Sequence, residues 1–275
     1  VMDMNLPYQC GFHNLAIVQA DLKYPGQAFT LMNALWGVGQ MMFNKIMIVV
    51  GKDTDPFDSN AILESLSHVD VAKDVLFSRG AADVLDHAGR EFALSGKIGI
   101  DATRKADDTS IRTLDIHRLK SEYHDVKINT DYFYSAGALI VGWEKSSETP
   151  IAQLAQDLSA KDYIQGLNYI AVFDPTVDLN DADILLWQIS GNIDPQTDCV
   201  TIDTQKGKCL VFDATSKREM DGFTREWPNV IVMDDQTIAA VDQKWDKLGL
   251  GAFVESPSLK LKPMVHGSGA VAKFE

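Results

Sequence analysis

Cysteine is scarce in this chain, with only Cys10, Cys199 and Cys209. An odd, sparse count without a Cys-x-x-Cys pair excludes a disulfide framework and a cysteine zinc site. Cys199 and Cys209 stand in apolar, strand-like runs and read as small buried hydrophobes rather than nucleophiles. The count fits a reducing cytoplasm, the expected location. Long apolar runs are also missing: none approaches the roughly 18 residues of a membrane span, and no leader pattern opens the chain. The start, Val1-Met2-Asp3-Met4, reads as an arbitrary cut, so a longer natural chain is expected. Basic residues are few, 25 against 39 acidic ones, for a net charge of −14. That balance argues against a nucleic-acid partner, which needs clustered Lys and Arg. There is no Gly-x-Ser-x-Gly and no phosphate loop, and Gly37-x-Gly39 neither follows a strand nor opens a helix. What is abundant is apolar material, 45% of 275 residues, enough for two ordinary cores.

That material is arranged twice. Asp101-Ala102-Thr103-Arg104-Lys105 returns as Asp213-Ala214-Thr215-Ser216-Lys217, each after an apolar run. Leu15-Ala16-Ile17-Val18 corresponds to Ala138-Leu139-Ile140-Val141, Ile46–Val50 to Asn168–Val172, and Asp70…Asp74 to Asp194…Asp198. Landmarks in the same order at a nearly constant offset signal an internal repeat.

Within the first copy, strands are expected at 13–20, 46–50, 75–77 and 98–100, with helices at 27–42 and 59–67. The second copy repeats the order: strands at 136–143, 169–173, 199–202 and 209–212, helices at 150–158 and 181–190. A closing helix at 236–248 carries the stripe Ile238, Val241, Trp245 and Leu248. Alternating strands and helices imply the α/β class. The expected architecture is two tandem three-layer α/β domains, each a mostly parallel or mixed sheet flanked by helices. The limits are 1–105 for the first copy, 106–131 for a polar linker, 132–254 for the second copy and 255–275 for a tail.

Several stretches resemble one family. They are Asn5-Leu6-Pro7, Phe43-Asn44-Lys45 through Val50, Asp70, and Gly99-Ile100-Asp101-Ala102-Thr103-x-Lys105. The second copy adds Asp178 to Trp187, Ile193-Asp194-Pro195-x-x-Asp198, Asp213-Ala214-Thr215-x-Lys217, Thr224-Arg225-Glu226-Trp227 and Trp245-Asp246-x-Leu248. Together they are similar to the C-terminal domain of the UbiD family, the prenylated-flavin-dependent decarboxylases that include 3-polyprenyl-4-hydroxybenzoate carboxy-lyase. A tandem duplicate departs from the family's single copy. The resemblance implies loss of CO₂ from an aromatic, prenylated aromatic or α,β-unsaturated acid, with quinone biosynthesis as the expected pathway. It places prenylated FMN, its divalent metal and the catalytic Glu-Arg-Glu set in an N-terminal domain with no counterpart here. The expected partners are that N-terminal catalytic domain and further copies of the chain; the fragment itself holds no catalytic residue, cofactor or metal. A non-catalytic oligomerisation or scaffold module is the alternative.

The copies differ at one place. Residues 78–95 of the first copy contain an insertion that the second lacks. The resemblance makes this loop the one that reaches toward flavin and substrate, its Asp-x-Leu-Asp pattern being Asp83-Val84-Leu85-Asp86. Leu85 is then expected to cover the substrate ring, and His87, with a near-neutral pKa, to be a candidate proton donor. The other reading is a surface Ω-loop with Leu85 in a satellite core. The turn at Met42 and Phe43 is a candidate apolar wall or plain helix-end core, and Lys45 is expected to support that turn. Asp53, Asp55 and Asp58, like Asp174, Asp178 and Asp181, lack the glycine and closing glutamate of a calcium loop and read as helix caps.

Overall fold

The run Ile46–Gly51 is buried along nearly its whole length because both of its faces are covered, and a sheet grows on either side of it. A computed structural model describes residues 1–11, 13–104, 111–146, 148, 150–205 and 207–274. Lys105, the last residue of the first repeated motif, lies outside the described residues. In chain order the first repeat gives β1 (Asp3–Asn5), β2 (Leu15–Ala20), α1 (Gln27–Trp36), β3 (Ile46–Gly51), α2 (Ser59–Ser67), α3 (Val71–Asp74), β4 (Val75–Ala81) and β5 (Leu94–Ala102). Next come β6 (Thr113–Leu114), α4 (Ile116–Glu122), β7 (Lys127–Asn129), α5 (Phe133–Ala136), β8 (Ala138–Gly142), α6 (Ile151–Ser159) and β9 (Ile164–Gln165). The chain continues through β10 (Tyr169–Phe173), α7 (Ala182–Asn192), α8 (Pro195–Asp198), β11 (Cys199–Thr204) and β12 (Gly207–Asp213).

The two large sheets have the orders β1-β2-β3-β5-β4 and β7-β8-β10-β12-β11. In both, the three central strands are parallel and both edge strands antiparallel. The α/β class with helix-flanked sheets is as expected from the sequence, and the mixed pattern is the observed one. The repeated Asp-Ala-Thr does the same local work each time. Asp101 accepts from Thr103 N at 3.0 Å and Oγ1 at 2.5 Å, and Asp213 accepts from Thr215 N and Oγ1 at the same distances. Aspartates cap the helices: Asp58 accepts from Asn60 N, Asp181 from Ile184 N, Asp70 from Ala72 N and Asp194 from Gln196 N, whereas Asp174, read as a cap from the sequence, instead accepts from Ser216 N at 2.9 Å and Oγ at 2.6 Å.

Side-chain alternation gives each sheet two jobs. Ala16, Val18, Met47 and Val49 pack with Met32 and Trp36 of α1. In the second sheet Leu139, Val141, Ile170 and Val172 pack with Leu154 and Leu158 of α6. The intervening residues, among them Ile17 and Ile48 in one sheet and Ile140 and Ala171 in the other, line a shared cavity of about 680 Å³ that α2 and α7 also border.

The repeats interlock rather than stand apart. Helix α3 packs on β12, and α8 packs on β4 and β5. Gly96 N donates to Asp194 Oδ1 at 2.7 Å. A Cβ at Gly96 would lie 2.2 Å from Gln196 N, so only glycine lets α8 approach this closely. Val1–Phe223 is accordingly one compact unit and Thr224–Glu275 a second, so the limit falls at 223/224, well before the 254 read from the sequence.

Three other expectations are corrected. Helix α1 stops at Trp36, not 42, because Gly37 and Gly39, the latter at φ +56°, end it; a 3₁₀ turn Gly39–Phe43 follows. The stretch read as a linker holds β6, α4 and β7 among its described residues, since Leu114 and Leu119 are buried and β7 pairs with β8. The closing helix is two, α9 (Asp235–Asp242) and α10 (Trp245–Leu248); Ile238 is buried but Leu248 is exposed. Among the described residues no helix is long and apolar enough to cross a membrane.

Candidate functional site

The hairpins that close the two sheets are built alike and finished differently. Strand β11 ends at Thr204 and β12 begins at Gly207, whereas β4 and β5 are separated by residues 82–93. At the foot of that loop Ala82 N donates to Ala93 O at 3.0 Å. Ala93 sits at φ +56°, a left-handed conformation that non-glycine residues rarely adopt and that tends to mark functional loops.

Asp83 starts a tight turn, its Oδ1 accepting from Leu85 N at 2.8 Å while its Oδ2 lies 3.3 Å from His13 Nε2. The chain then runs inward. Asp86 Oδ1 accepts from Ala88 N and from Lys45 Nζ, both at 3.1 Å, and Lys45 also donates to Ile193 O at 3.0 Å. Both side chains of this ion pair are almost wholly buried, at 1% and 3% exposure. His87 Nε2 lies 3.3 Å from Asn192 Oδ1, and Asn192 is itself fixed by Gln188 and Ala214. Arg90 donates to Asp198 Oδ1 at 2.8 Å and stacks over the Phe223 ring at 5.1 Å. Ile193, Asn192, Asp198 and Phe223 all belong to the second repeat side of the unit. The inner limb of the loop is therefore held by the copy that has no such loop.

The tip points away from these anchors. Val84 is 68% exposed, Leu85 84% and Phe92 81%. Leu85 is thus in no satellite core. The Met42–Phe43 turn lies beside the start of the loop: Lys97 Nζ donates to Met42 O at 2.6 Å, Asn44 O at 2.8 Å and Ala81 O at 2.9 Å. Phe43 is half-buried against the His13 ring at 5.4 Å, and Met42 is exposed. Burial pushes the Lys97 ammonium down to about 8; the Asp86 carboxylate opposes this and the Lys45 cation adds to it.

Of the seven residues singled out from the sequence, Asp83, Asp86, His87, Lys45 and Phe43 come together around the loop base. Leu85 and Met42 stand exposed on its rim. Sequence reasoning missed Lys97, Arg90, Asn192 and Asp198. A lysine inside the apolar run Gly96-Lys97-Ile98 was the available signal for the first. Asp198 was visible as a repeat landmark, but Arg90 carried no signal and the pairing of the two crosses the repeats. The thiols add no nucleophile: burial raises the pKa of Cys10, Cys199 and Cys209. Among the described residues no three His, Cys, Asp or Glu side chains gather as a metal site. The loop thus combines a buried, ion-paired base with exposed apolar side chains at Val84, Leu85 and Phe92.

Residues 1–102 match the family model described as the 3-octaprenyl-4-hydroxybenzoate carboxy-lyase C-terminal domain. An uncharacterized protein of Helicobacter pylori is 33% identical over 235 residues, covering 83% of this chain and 37% of that protein. An uncharacterized protein of Archaeoglobus fulgidus is 42% identical over 110 residues, covering 39% of the chain and 23% of that protein. The chain spans little more than a third of the longer match. Among solved structures, the closed form of Sedimentibacter hydroxybenzoicus vanillic acid decarboxylase aligns with a TM-score of 0.36 at 22% identity, over 45% of this chain and 28% of its own. HmfF of Pelotomaculum thermopropionicum, a UbiD-class enzyme solved with FMN, aligns with a TM-score of 0.35 at 21% identity, over 38% and 24%.

Proposed function

We propose that this chain, which matches the UbiD C-terminal domain over residues 1–102, is the C-terminal part of a UbiD-like decarboxylase. Its first repeat supplies the flap over an active site carried by an N-terminal catalytic domain, and its second repeat, a tandem duplicate, is the scaffold that holds the flap. The substrate class is an aromatic or prenylated aromatic acid, the reaction loss of CO₂, and the setting quinone biosynthesis in the cytoplasm. The family resemblance assigns the flavin and its divalent metal to that other domain.

The observation that carries this reading is the asymmetry of residues 82–93: present only in the first repeat, buried and ion-paired at the base, apolar and exposed at the tip. Val84 and Leu85 would close over the substrate and exclude water, while Lys45, Asp86 and Arg90 fix the angle of approach. The test is turnover of the full-length enzyme carrying Val84→Ser and Leu85→Ser. A drop of tenfold or more in kcat/KM with an unchanged melting temperature is expected. Undiminished turnover would contradict the flap.

A second role is compatible with the first. Residues 224–275 expose the apolar side chains Ile231, Leu250, Phe253 and Val254, which are available for association. This supports homo-oligomerisation through that unit, and it is also what a purely non-catalytic scaffold would show. A sedimentation profile that stays monomeric at high concentration would remove this role without touching the flap.

A further inference from the structure

The cavity between the two large sheets is unrelated to the loop. It is about 680 Å³, within the range of roughly 300–1,000 Å³ typical of small-molecule sites. It is far larger than the voids left in packed cores. Its walls are the inner faces of β2, β3 and β5 on one side and β8, β10 and β12 on the other, closed by α2 and α7. Aliphatic side chains dominate, with Ile17, Ile48, Ile140 and Leu185 typical of them. Among the described residues no Asp, Glu, Lys, Arg or His lines it. Several of the polar groups that do are hydrogen-bonded within the protein: Tyr169 Oη donates to Leu66 O at 3.0 Å, Asn5 to Pro56 O at 2.8 Å, and Gln9 to Asp183 at 2.7 Å. Alanines at 138, 171 and 182 keep the space open where larger residues would close it.

A water cluster needs two to four polar partners per molecule, and these walls do not provide them. A charged ligand buried here would lack a counter-ion. We infer that the cavity binds an uncharged aliphatic chain, inserted between the sheets, with any polar head group left at the mouth beside the exposed Tyr8 and Phe57. Branched Ile and Leu walls suit a flexible hydrocarbon, which adapts to an irregular space between two twisted sheets, over a flat ring that would demand a slot.

The test is titration of the purified protein with N-phenyl-1-naphthylamine, a neutral apolar fluorophore. A single saturable site is expected. Hexadecanol and farnesol should both compete, and their ranking separates straight from branched chains. Ala171→Phe, which puts a ring into the void, should weaken binding tenfold or more. Absence of saturable binding, competition by neither alcohol, or equal binding by Ala171→Phe would overturn the inference. Should that variant fail to fold, photolabelling of the unaltered protein with a diazirine-bearing hexadecanol decides: adducts on peptides of β2, β3, β8 or β10 support the site, and adducts confined to other peptides overturn it.

Discussion

The hairpins β4–β5 and β11–β12 occupy the same place in sheets of the same order, and each abuts a capped helix of the kind Asp-x-x-x-Asp. In the first repeat Asp70 N donates to Asp74 Oδ2 at 2.8 Å, and in the second Asp194 N donates to Asp198 Oδ2 at 2.7 Å. Burial raises the carboxyl pKa of both Asp74 and Asp198. Each also holds an arginine, and there the copies part. Arg104 reaches Asp74 at 2.7 Å from within its own repeat, whereas Arg90 reaches Asp198 at 2.8 Å from the loop of the other. One structural device thus serves two ends: local closure in one copy, and tethering of the 82–93 loop in the other.

The comparison breaks most visibly at Lys45. Replacing it with Met strands the Asp86 carboxylate in a buried site, and a stability loss of about 4 kcal/mol is expected by chemical denaturation. Gly96→Ala comes next. Its Cβ would strike the backbone nitrogen of Gln196, so about 3 kcal/mol should be lost, while Lys208→Ala, at the matching hairpin position of the second copy, should change stability by no more than about 0.5 kcal/mol.

Lys97 gives a pH signature opposite in sign to that of the buried thiols Cys199 and Cys209 in the second hairpin, whose raised pKa values lower stability once the unfolded thiols ionise. The folded pKa of Lys97, about 8, lies below the ordinary lysine value of 10.5. Below pH 8 both states carry the proton, and burial of the charge weighs fully against the fold. Between pH 8 and 10.5 the folded protein has released the proton and the unfolded chain still binds it, so stability rises with pH, by on the order of 2 kcal/mol. In urea titrations across that window, the stability of the unaltered protein minus that of Lys97→Met should show this rise, the contribution of the buried thiols cancelling in the difference. Smallest of all is Leu85→Ser, which removes an exposed side chain and should shift the urea midpoint by less than about 0.5 kcal/mol of stability.

Much of the fold was legible because it rests on local chemistry. Continuous apolar runs at Ile46–Val50 and Tyr169–Phe173 needed both faces covered, and Asp58 before Ser59 marked a helix start that the structure keeps. The short edge strands β1 and β7 were not legible, since three residues carry no period and are fixed only by their neighbours. The break of α1 at Gly37 and Gly39 turned on backbone geometry that helical spacing at Phe29, Met32 and Trp36 masks. At the site, the loop itself was visible as a difference between repeats, and so were Asp83, Asp86 and Lys45. Its anchors were not: the contacts of Arg90 with Asp198 and of His87 with Asn192 join residues about a hundred positions apart, and no local pattern encodes them.

Under the proposed function, the second repeat holds the first repeat's flap for catalysis. The most direct test is turnover of the full-length enzyme with Arg90→Met beside Arg104→Met. The two variants each remove one arginine–aspartate pair, but only the first removes a tether between the loop and the second repeat. A kcat/KM lowered at least fivefold by Arg90→Met and left unchanged by Arg104→Met is the predicted result. Equal effects of the two, or full activity in both, would contradict it.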